Sequence, residues 1–284
     1  MRLLCLMIFL GALPLTAQDQ SSEDESSEQV KLAYELAAKE ANSLVFKQGS
    51  QTLKMHTEPL LRWSNPLSGE IYGDVYIWTL DGRPEVMASI YKWFSPNTHM
   101  GTELQSLCES SLSMTRYGKQ AWSPSPGVEM KLLPKVDAPN SRAFQRTRQM
   151  RAIAEQFHAE AVDRADEDKK WSLRALRQPI YRYTCEKRNI VDGAMFAYCQ
   201  GTTNNPEVLL MLEARKEGEN LKWYYGLGRQ NSLKFLVTRD QELVWDVPKL
   251  APPWTNISLP EKPYMVIKTK FEDVSQPKVI QFER

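Results

Sequence analysis

The stretch that decides the fold is Gly73-Asp74-Val75-Tyr76-Ile77-Trp78-Thr79, because its pattern returns as Gly193-Ala194-Met195-Phe196-Ala197-Tyr198-Cys199. The similarity continues on both sides of each glycine. Upstream and at equal distance, Pro59-Leu60-Leu61-Arg62-Trp63-Ser64 corresponds to Pro179-Ile180-Tyr181-Arg182-Tyr183-Thr184. Downstream, Pro84-Glu85-Val86-Met87 corresponds to Pro206-Glu207-Val208-Leu209. The chain therefore contains one pattern twice.

The repeat period is roughly 120 residues, far longer than a solenoid repeat or a propeller blade. Two related domains in tandem, each of ordinary size, explain this period; chance similarity is the alternative. The shared positions are mostly aromatic, aliphatic, proline and glycine residues, which determine strand packing and turns. The repeat therefore indicates a duplicated fold rather than a duplicated active site.

The N-terminus has the form of a secretory signal peptide. Arg2 precedes the apolar run 3–13, which is too short to cross a bilayer, and the small residue Ala17 follows. We predict a signal peptide over residues 1–17 and, because they are almost entirely polar and acidic, a disordered acidic tether over residues 18–27. The sequence therefore predicts an exported protein, periplasmic or extracellular, with no transmembrane segment.

The charge balance argues against a polyanionic partner. Removal of Arg2 with the signal leaves 35 of the 36 basic side chains, equal to the 35 acidic ones. A neutral chain has no electrostatic attraction for nucleic acid, so we predict no nucleic-acid partner.

Two helices are predicted, one at the start of each repeat. The first should cover about residues 28–46, where apolar residues recur at helical spacing. The second should follow Ser141, and its buried face should contain four apolar residues: Met150, Ala154, Phe157 and Ala161.

The rest of each repeat has the pattern of antiparallel strands. Residues 71–79 and 86–93 are strand-like and meet at Asp81-Gly82, a hairpin signal. Residues 195–200 and 208–214 are their counterparts in the second half. The predicted fold class is therefore α+β, with two tandem related domains, each an N-terminal helix packed on a curved antiparallel β-meander.

Proline-rich segments mark the limits of the repeats. We assign the first α+β repeat to residues 28–123, a Pro-rich linker to 124–140 and the second α+β repeat to 141–247. Residues 248–284 are predicted to form a Pro-rich C-terminal extension with one short strand near residues 264–269.

Three cysteines remain after the signal is removed. A hairpin that turns at 191–193 would place Cys185 directly opposite Cys199, within the reach of a disulfide. We therefore predict a Cys185–Cys199 disulfide and a buried free thiol at Cys108, with a nucleophilic Cys108 as the alternative.

Catalytic and metal-binding motifs are not recognisable in the sequence. The chain has three histidines, none in a metal-ligand pattern, and no nucleotide-binding glycine loop or nucleophile elbow. We therefore predict no cofactor, no metal and no identifiable catalytic residue.

Glu85 and Glu207 are the carboxylates that recur at a marked position in both halves. A shared-proton dyad at the pseudo-two-fold axis is one interpretation. The favoured interpretation is that each faces water or pairs with a basic neighbour, for which the duplicated Arg62 and Arg182 are candidates.

A second duplicated set consists of arginine followed by tryptophan: Arg116 with Trp122, and Arg239 with Trp245. The structural interpretation places the arginine at a strand end and the tryptophan in the core. In the functional interpretation, the four residues line equivalent pockets for an anionic or sugar-like ligand.

Several strings, namely residues 81–86, 91–93, 148–152 and 192–196, resemble an uncharacterised family of exported proteins from planctomycete-type bacteria. The resemblance covers most of the mature chain and implies a bacterial envelope setting but no activity. The sequence thus favours a non-catalytic binding or interaction protein of the cell envelope with an unknown ligand. The alternative is a hydrolase acting on an envelope or extracellular polymer.

Overall fold

A computed structural model describes residues 17–66, 68–95, 98–251, 260–270 and 281–282. Residues 1–16, most of the predicted signal peptide, lie outside these ranges. In the first half, helix α1 (Ala17–Ser43) is followed by β1 (Leu44–Gln48), β2 (Gln51–Thr52), β3 (Lys54–Met55), β4 (Leu61–Ser64), β5 (Glu70–Leu80), β6 (Arg83–Ser95), β7 (His99–Ser106), β8 (Ser113–Arg116) and β9 (Lys119–Trp122).

Strand β10 (Lys131–Leu132) lies between the halves. The second half contains helix α2 (Ala143–Ala154), β11 (Phe157–Val162), β12 (Lys170–Ser172), β13 (Arg174–Ala175), β14 (Tyr181–Cys185), β15 (Ile190–Cys199), β16 (Pro206–Glu217), β17 (Asn220–Arg229), β18 (Lys234–Arg239) and β19 (Glu242–Val247). The last strands are β20 (Tyr264–Lys270) and β21 (Gln281–Phe282).

The predicted α+β class is wrong, because the described chain is mostly antiparallel sheet with two helices. The second helix ends at Ala154, and residues 157–162, predicted as its continuation, form β11 along β18. Positions four apart share a face in a strand as well as in a helix, so the apolar spacing of Phe157 and Ala161 fits both. Six paired residues of β18 decide for the strand.

The first helix also departs from the prediction. It begins at Ala17, so residues 18–27 are helical instead of a disordered tether, and it ends at Ser43, where β1 takes over. Acidic residues near a helix N-terminus interact favourably with the helix dipole, which the low-hydrophobicity argument for disorder ignored.

The two halves have the same strand order. The first large sheet runs β21-β20-β7-β6-β5-β3 with β4 also on β5, and the second runs β10-β17-β16-β15-β13 with β14 also on β15. The small sheets run β2-β1-β8-β9 and β12-β11-β18-β19. The hairpin predicted at Asp81-Gly82 is confirmed: both residues have positive φ, and Leu80 pairs with Arg83.

The segment that follows each half adds a strand to the other half. Strand β10 follows the first half but pairs with β17, and β20 follows the second half but pairs with β7. The predicted linker and extension are therefore part of the sheets. Each exchanged strand is thus hydrogen-bonded into the large sheet of the half that it does not follow.

Three apolar cores follow from the alternation of the long strands. One face of each large sheet packs on its own small sheet, around Trp78 and Trp122 in the first half and around Phe157 and Phe235 in the second. The opposite faces of the two large sheets pack on each other around residues such as Met211. The joint between the halves is thus a buried layer.

The repeated glycines are explained by the rings that cover them. Gly73 pairs with Trp63, and Gly193 pairs with Tyr183. A Cβ on Gly73 would lie 2.6 Å from the Trp63 ring, and one on Gly193 would lie 2.5 Å from the Tyr183 ring. The chain needs glycine here because the aromatic ring lies flat against the opposite backbone.

The predicted disulfide is wrong because the hairpin turns earlier than expected. The turn covers residues 186–189, with Asn189 in the left-handed conformation, so Cys185 lies opposite Ile190. Cys199 lies at the far end of β15, opposite Arg174. At about 3.3 Å per residue, the nine-residue separation along β15 is about 30 Å. The described cysteines, including Cys108, are free and buried.

Candidate functional site

Arg116 and Trp122 lie within the first half. Arg116 Nε donates to Glu40 Oε1 of helix α1 at 2.6 Å, and its guanidinium lies 5.6 Å from the Tyr117 ring centroid. Trp122 is fully buried, and its indole nitrogen donates to the carbonyl oxygen of Lys262 at 2.8 Å. These contacts fit the structural interpretation of this pair.

Arg239 and Trp245 differ in their surroundings. Arg239 is buried, and it donates to Gln156 Oε1 at 3.0 Å and to the Pro134 carbonyl at 2.9 Å. Trp245 is partly buried and lines a cleft. The sequence suggested four ligand-binding residues, and within the described part of the chain Trp245 is the one of them that lines this cleft.

Neither Glu85 nor Glu207 faces water, but Glu85 pairs with two basic neighbours, Arg83 and Arg188, which is one of the two forms of the favoured interpretation. The exposed fractions of Glu85 and Glu207 are 0% and 5%. The duplicated arginines do not pair with these glutamates: Arg62 Nε lies 3.5 Å from Asp74, and Arg182 binds Asp192. Each glutamate belongs instead to a polar cluster in the joint between the two large sheets.

The cluster around Glu85 is an ion-pair network. Arg83 is fully buried and lies 2.8 Å from Glu213, 3.2 Å from Glu85 and 3.7 Å from Glu109. Two further arginines complete it: Arg188 lies 3.0 Å from Glu85, and Arg215 lies 2.6 Å from Glu213 and 2.9 Å from Glu109. Three arginines thus balance three carboxylates, which fits a structural lock between the halves.

The protonation of this network follows from its charges. Burial opposes ionisation of Glu213, but Arg83 and Arg215 hold its pKa below the usual value. The Cys108 thiol lies beside Glu85, and burial together with that carboxyl raises the pKa of the thiol. A thiol in this state is a poor nucleophile, which argues against a catalytic Cys108.

In the cluster around Glu207, no basic side chain of the described residues forms an ion pair with the buried carboxyl groups. Glu207 and Glu103 are both buried, and burial raises the pKa of Glu103 to about 8. Burial, followed by repulsion from Glu103, raises the pKa of Glu207 well above its usual value. The sequence missed Glu103, because the equivalent position in the second half is Gly226, so the repeat gives no signal there.

The cleft that Trp245 lines has a volume of about 660 Å³, an ordinary size for a small-molecule site. It is lined by residues of strand β17, by the segment 126–131 and by Trp245 and Val247 of β19. Pro263 and Tyr264 of the C-terminal segment also line it. The sequence treated two of these segments as spacers, which is why it missed most of the cleft.

The charged groups of the cleft are unevenly paired. Of the acids that line it, Glu109 binds Arg215 at 2.9 Å and Glu129 binds Lys131 at 3.3 Å. Arg229 and Lys262 also line it, and in the described part of the chain neither forms an ion pair with a carboxylate. The cleft therefore carries unneutralised positive charge.

Arg229 is held in place by backbone carbonyls. Its Nη2 atom donates to the oxygen of Leu233 at 3.2 Å and to that of Pro248 at 2.7 Å. The guanidinium also lies 6.0 Å from the Tyr264 ring centroid. Burial lowers the pKa of Arg229 to about 10, so it remains a cation at neutral pH.

Comparison with known proteins assigns no family to this chain. The chain matches no protein-family model, no curated protein and no solved structure. Among the described residues, no helix has the length and apolar character needed to cross a membrane. Within the same residues, no three side chains of His, Cys, Asp or Glu are grouped so that they could hold a metal ion.

Proposed function

We propose that this protein is an exported, non-catalytic binding protein of the bacterial cell envelope, and that its ligand occupies the cleft beside Trp245. The N-terminal apolar run supports export. The observation that carries the binding role is the cleft itself, where apolar and aromatic side chains surround two cations without carboxylate partners.

The lining indicates the chemistry of the ligand. Trp245, Val247 and Tyr264 offer apolar surface to an apolar or ring-shaped body. Arg229 and Lys262 offer positive charge to an anionic group. A small amphipathic anion from the envelope satisfies both requirements.

A hydrolase of an envelope or extracellular polymer is less well supported. General acid–base catalysis needs a carboxyl group within hydrogen-bond reach of the substrate. The two carboxylates that line the cleft, Glu109 and Glu129, are each occupied by an ion pair. Glu103 and Glu207 lie in the joint between the sheets and not on the described cleft wall.

Retention of small molecules tests the proposal. The purified protein is incubated with an envelope extract, washed and denatured, and the released small molecules are identified by mass spectrometry. We expect amphipathic anions from the wild type and at least about tenfold less from Lys262→Gln, because a lost charge-assisted contact is worth at least about 1.4 kcal/mol. Trp245→Leu should also retain less, because it removes the aromatic surface on which the apolar part of the ligand packs.

Lys119→Gln, which removes an exposed lysine from β9, is the matched control and should retain the wild-type amount. Retention of no amphipathic anion, or equal retention by all variants, would refute the cleft as the binding site. Accumulation of polymer fragments over time would support the hydrolase instead.

A further inference from the structure

The strand pairing makes the surroundings of Glu85 and Glu207 directly comparable. Leu107 donates its backbone N–H to the Glu85 carbonyl at 2.8 Å, and Gln230 donates to the Glu207 carbonyl at the same distance. Each glutamate follows a proline near the start of the second strand of its hairpin, Pro84 in β6 and Pro206 in β16. The two carboxyl groups therefore occupy equivalent positions on the facing sheets.

The neighbours at these equivalent positions differ in charge. Two residues before Glu85 stands Arg83, which supplies its guanidinium to Glu85 and Glu213. Two residues before Glu207 stands Asn205, whose side-chain oxygen instead accepts from the Ser89 hydroxyl at 3.0 Å. The second cluster thus has the buried carboxyl group of the first without its guanidinium.

Glu103 adds a second carboxyl group to this cluster. It lies on β7 of the first half, and Gln230 of the second half donates its side-chain Nε2 to the Glu103 carbonyl at 3.0 Å. Gln230 also donates its backbone N–H to the Glu207 carbonyl, and Tyr264 pairs with Gln105, two residues along β7 from Glu103. The side chains of Glu103, Glu207 and Tyr264 therefore lie in the same part of the joint. The cluster therefore joins side chains from both halves and from the C-terminal strand.

Two buried oxygen atoms of this cluster, Glu207 Oε2 and Gln230 Oε1, have no hydrogen-bond partner among the described residues. The Tyr264 hydroxyl is also buried, and its neighbour is the Glu103 carboxyl group. The exposed fractions of Glu207, Gln230 and Tyr264 are 5%, 0% and 5%. A buried polar atom without a partner costs about 1–3 kcal/mol, so two in one place point to a ligand that they share.

We propose that a divalent cation that prefers oxygen ligands, in the first place Ca²⁺, binds between Glu103 and Glu207 in the role that the Arg83 guanidinium has beside Glu85. Two carboxylates balance its double charge. The amide oxygen of Gln230 and the hydroxyl of Tyr264 are additional ligands of the kind that Ca²⁺ uses.

The chemistry of the donor atoms sets the choice of ion. All the donors are oxygens, which excludes the soft ligand sets typical of Zn²⁺ or Cu⁺. Mg²⁺ usually retains several waters, whereas Ca²⁺ accepts many protein oxygens in irregular geometry, and the site is almost closed to solvent.

Metal binding by the whole purified chain tests the proposal. After treatment with chelator, Ca²⁺ is titrated by calorimetry, and Tb³⁺, which substitutes for Ca²⁺, is titrated by luminescence excited through aromatic side chains. We expect one ion per chain, Tb³⁺ emission sensitised by neighbours such as Tyr264, and its displacement by Ca²⁺. Bound Ca²⁺ should also raise the melting temperature.

Three variants locate the site. Glu103→Gln and Glu207→Gln should each weaken Ca²⁺ binding by about a hundredfold or more, because the charge of the ligand set controls affinity. Tyr264→Phe removes one neutral oxygen and should weaken it several-fold. Glu219→Gln, in the exposed β16–β17 turn, is the control and should bind as the wild type does.

Two results would overturn the proposal. One is a wild-type protein that shows neither one-to-one Ca²⁺ binding nor Ca²⁺-displaceable Tb³⁺ emission, a result that does not depend on how any variant folds. The other is a set of folded glutamine variants, checked by circular dichroism, that bind Ca²⁺ as tightly as the control.

Discussion

Replacement of Arg83 by methionine should destabilise the protein strongly, because this side chain neutralises the joint between the two halves. The variant keeps most of the apolar volume but removes the guanidinium that lies 2.8 Å from Glu213 and 3.2 Å from Glu85. Both carboxylates are fully buried. The six-membered network would change from neutral to a net charge of −1.

The magnitude follows from what remains around the two carboxylates. Removing one partner of a buried ion pair costs about 3–5 kcal/mol. Arg188 still lies 3.0 Å from Glu85, and Arg215 still lies 2.6 Å from Glu213. We therefore expect the lower end, about 3 kcal/mol, which is a large fraction of the roughly 5–15 kcal/mol that stabilises a typical domain.

The same charges determine how the stability penalty of Arg83→Met depends on pH. Burial already raises the pKa of Glu85, and without Arg83 the pKa values of Glu85 and Glu213 both increase, so the folded variant takes up a proton more readily than the wild type. The penalty should therefore be full at neutral pH and shrink as the pH falls towards 5. Adding Glu213→Gln to Arg83→Met restores neutrality and should recover about 1–2 kcal/mol.

Urea denaturation at pH 7 and pH 5, followed by circular dichroism, measures these effects. Lys187→Met is the matched control: Lys187 also bridges the halves, 2.9 Å from Asp81, but it is 67% exposed and should cost less than about 1 kcal/mol. The reasoning is refuted if Arg83→Met costs no more than Lys187→Met, or if its penalty grows as the pH falls.

Three further predictions concern other buried groups. Gly193→Ala should lower the free energy of unfolding by about 1–3 kcal/mol, because the added Cβ would meet the Tyr183 ring at 2.5 Å; a loss below about 0.5 kcal/mol in urea denaturation would contradict this. Burial raises the pKa of Asp74 to about 6, so the contribution of this side chain to folding stability falls as the pH rises from about 4 through 6. Asp74→Asn should therefore be up to about 3 kcal/mol more stable than the wild type at pH 7 and similar to it at pH 4. An equal difference at both pH values would refute the assignment. Thiol labelling of the denatured, unreduced protein should modify both Cys185 and Cys199, whereas a cross-linked peptide would show that the hairpin register is different.

The sequence predicted strand pairing where local signals and the repeat agree. The hairpin at Asp81-Gly82 has two residues suited to positive φ between alternating strands, and it forms there. The prediction failed for Phe157 and Ala161, because a spacing of four residues marks one face in both kinds of element. It also failed for Cys185, because the extra residues of a short helical turn moved the register, which residue types alone do not specify.

The candidate sites were less predictable because they depend on how the halves meet. For Trp245, which lines the cleft, the sequence offered ligand binding as one of two interpretations, but Arg229 and Tyr264 had no signal, since the repeat does not contain them at matching positions. Glu85 and Glu207 were predicted either to face water or to pair with a basic neighbour, because a glutamate is rarely buried without a partner. Their burial results from sheet-on-sheet packing, which no local pattern in either half describes.

Arg83 and Asn205 are a difference between the halves that lies in the joint, and this has a physical cause. Positions that determine the backbone, such as Gly73 and Gly193, are repeated, because each lies under an aromatic ring of its own half. A charged residue in the joint faces the other half, and the residues that face two equivalent positions are different. Arg83 forms an ion pair with Glu213 of the other half, whereas Asn205, at the equivalent position, accepts a hydrogen bond from Ser89. Substitutions there change charge without disturbing either sheet, and the joint is consequently the part of a duplicated fold in which two equivalent sites can acquire different chemistry.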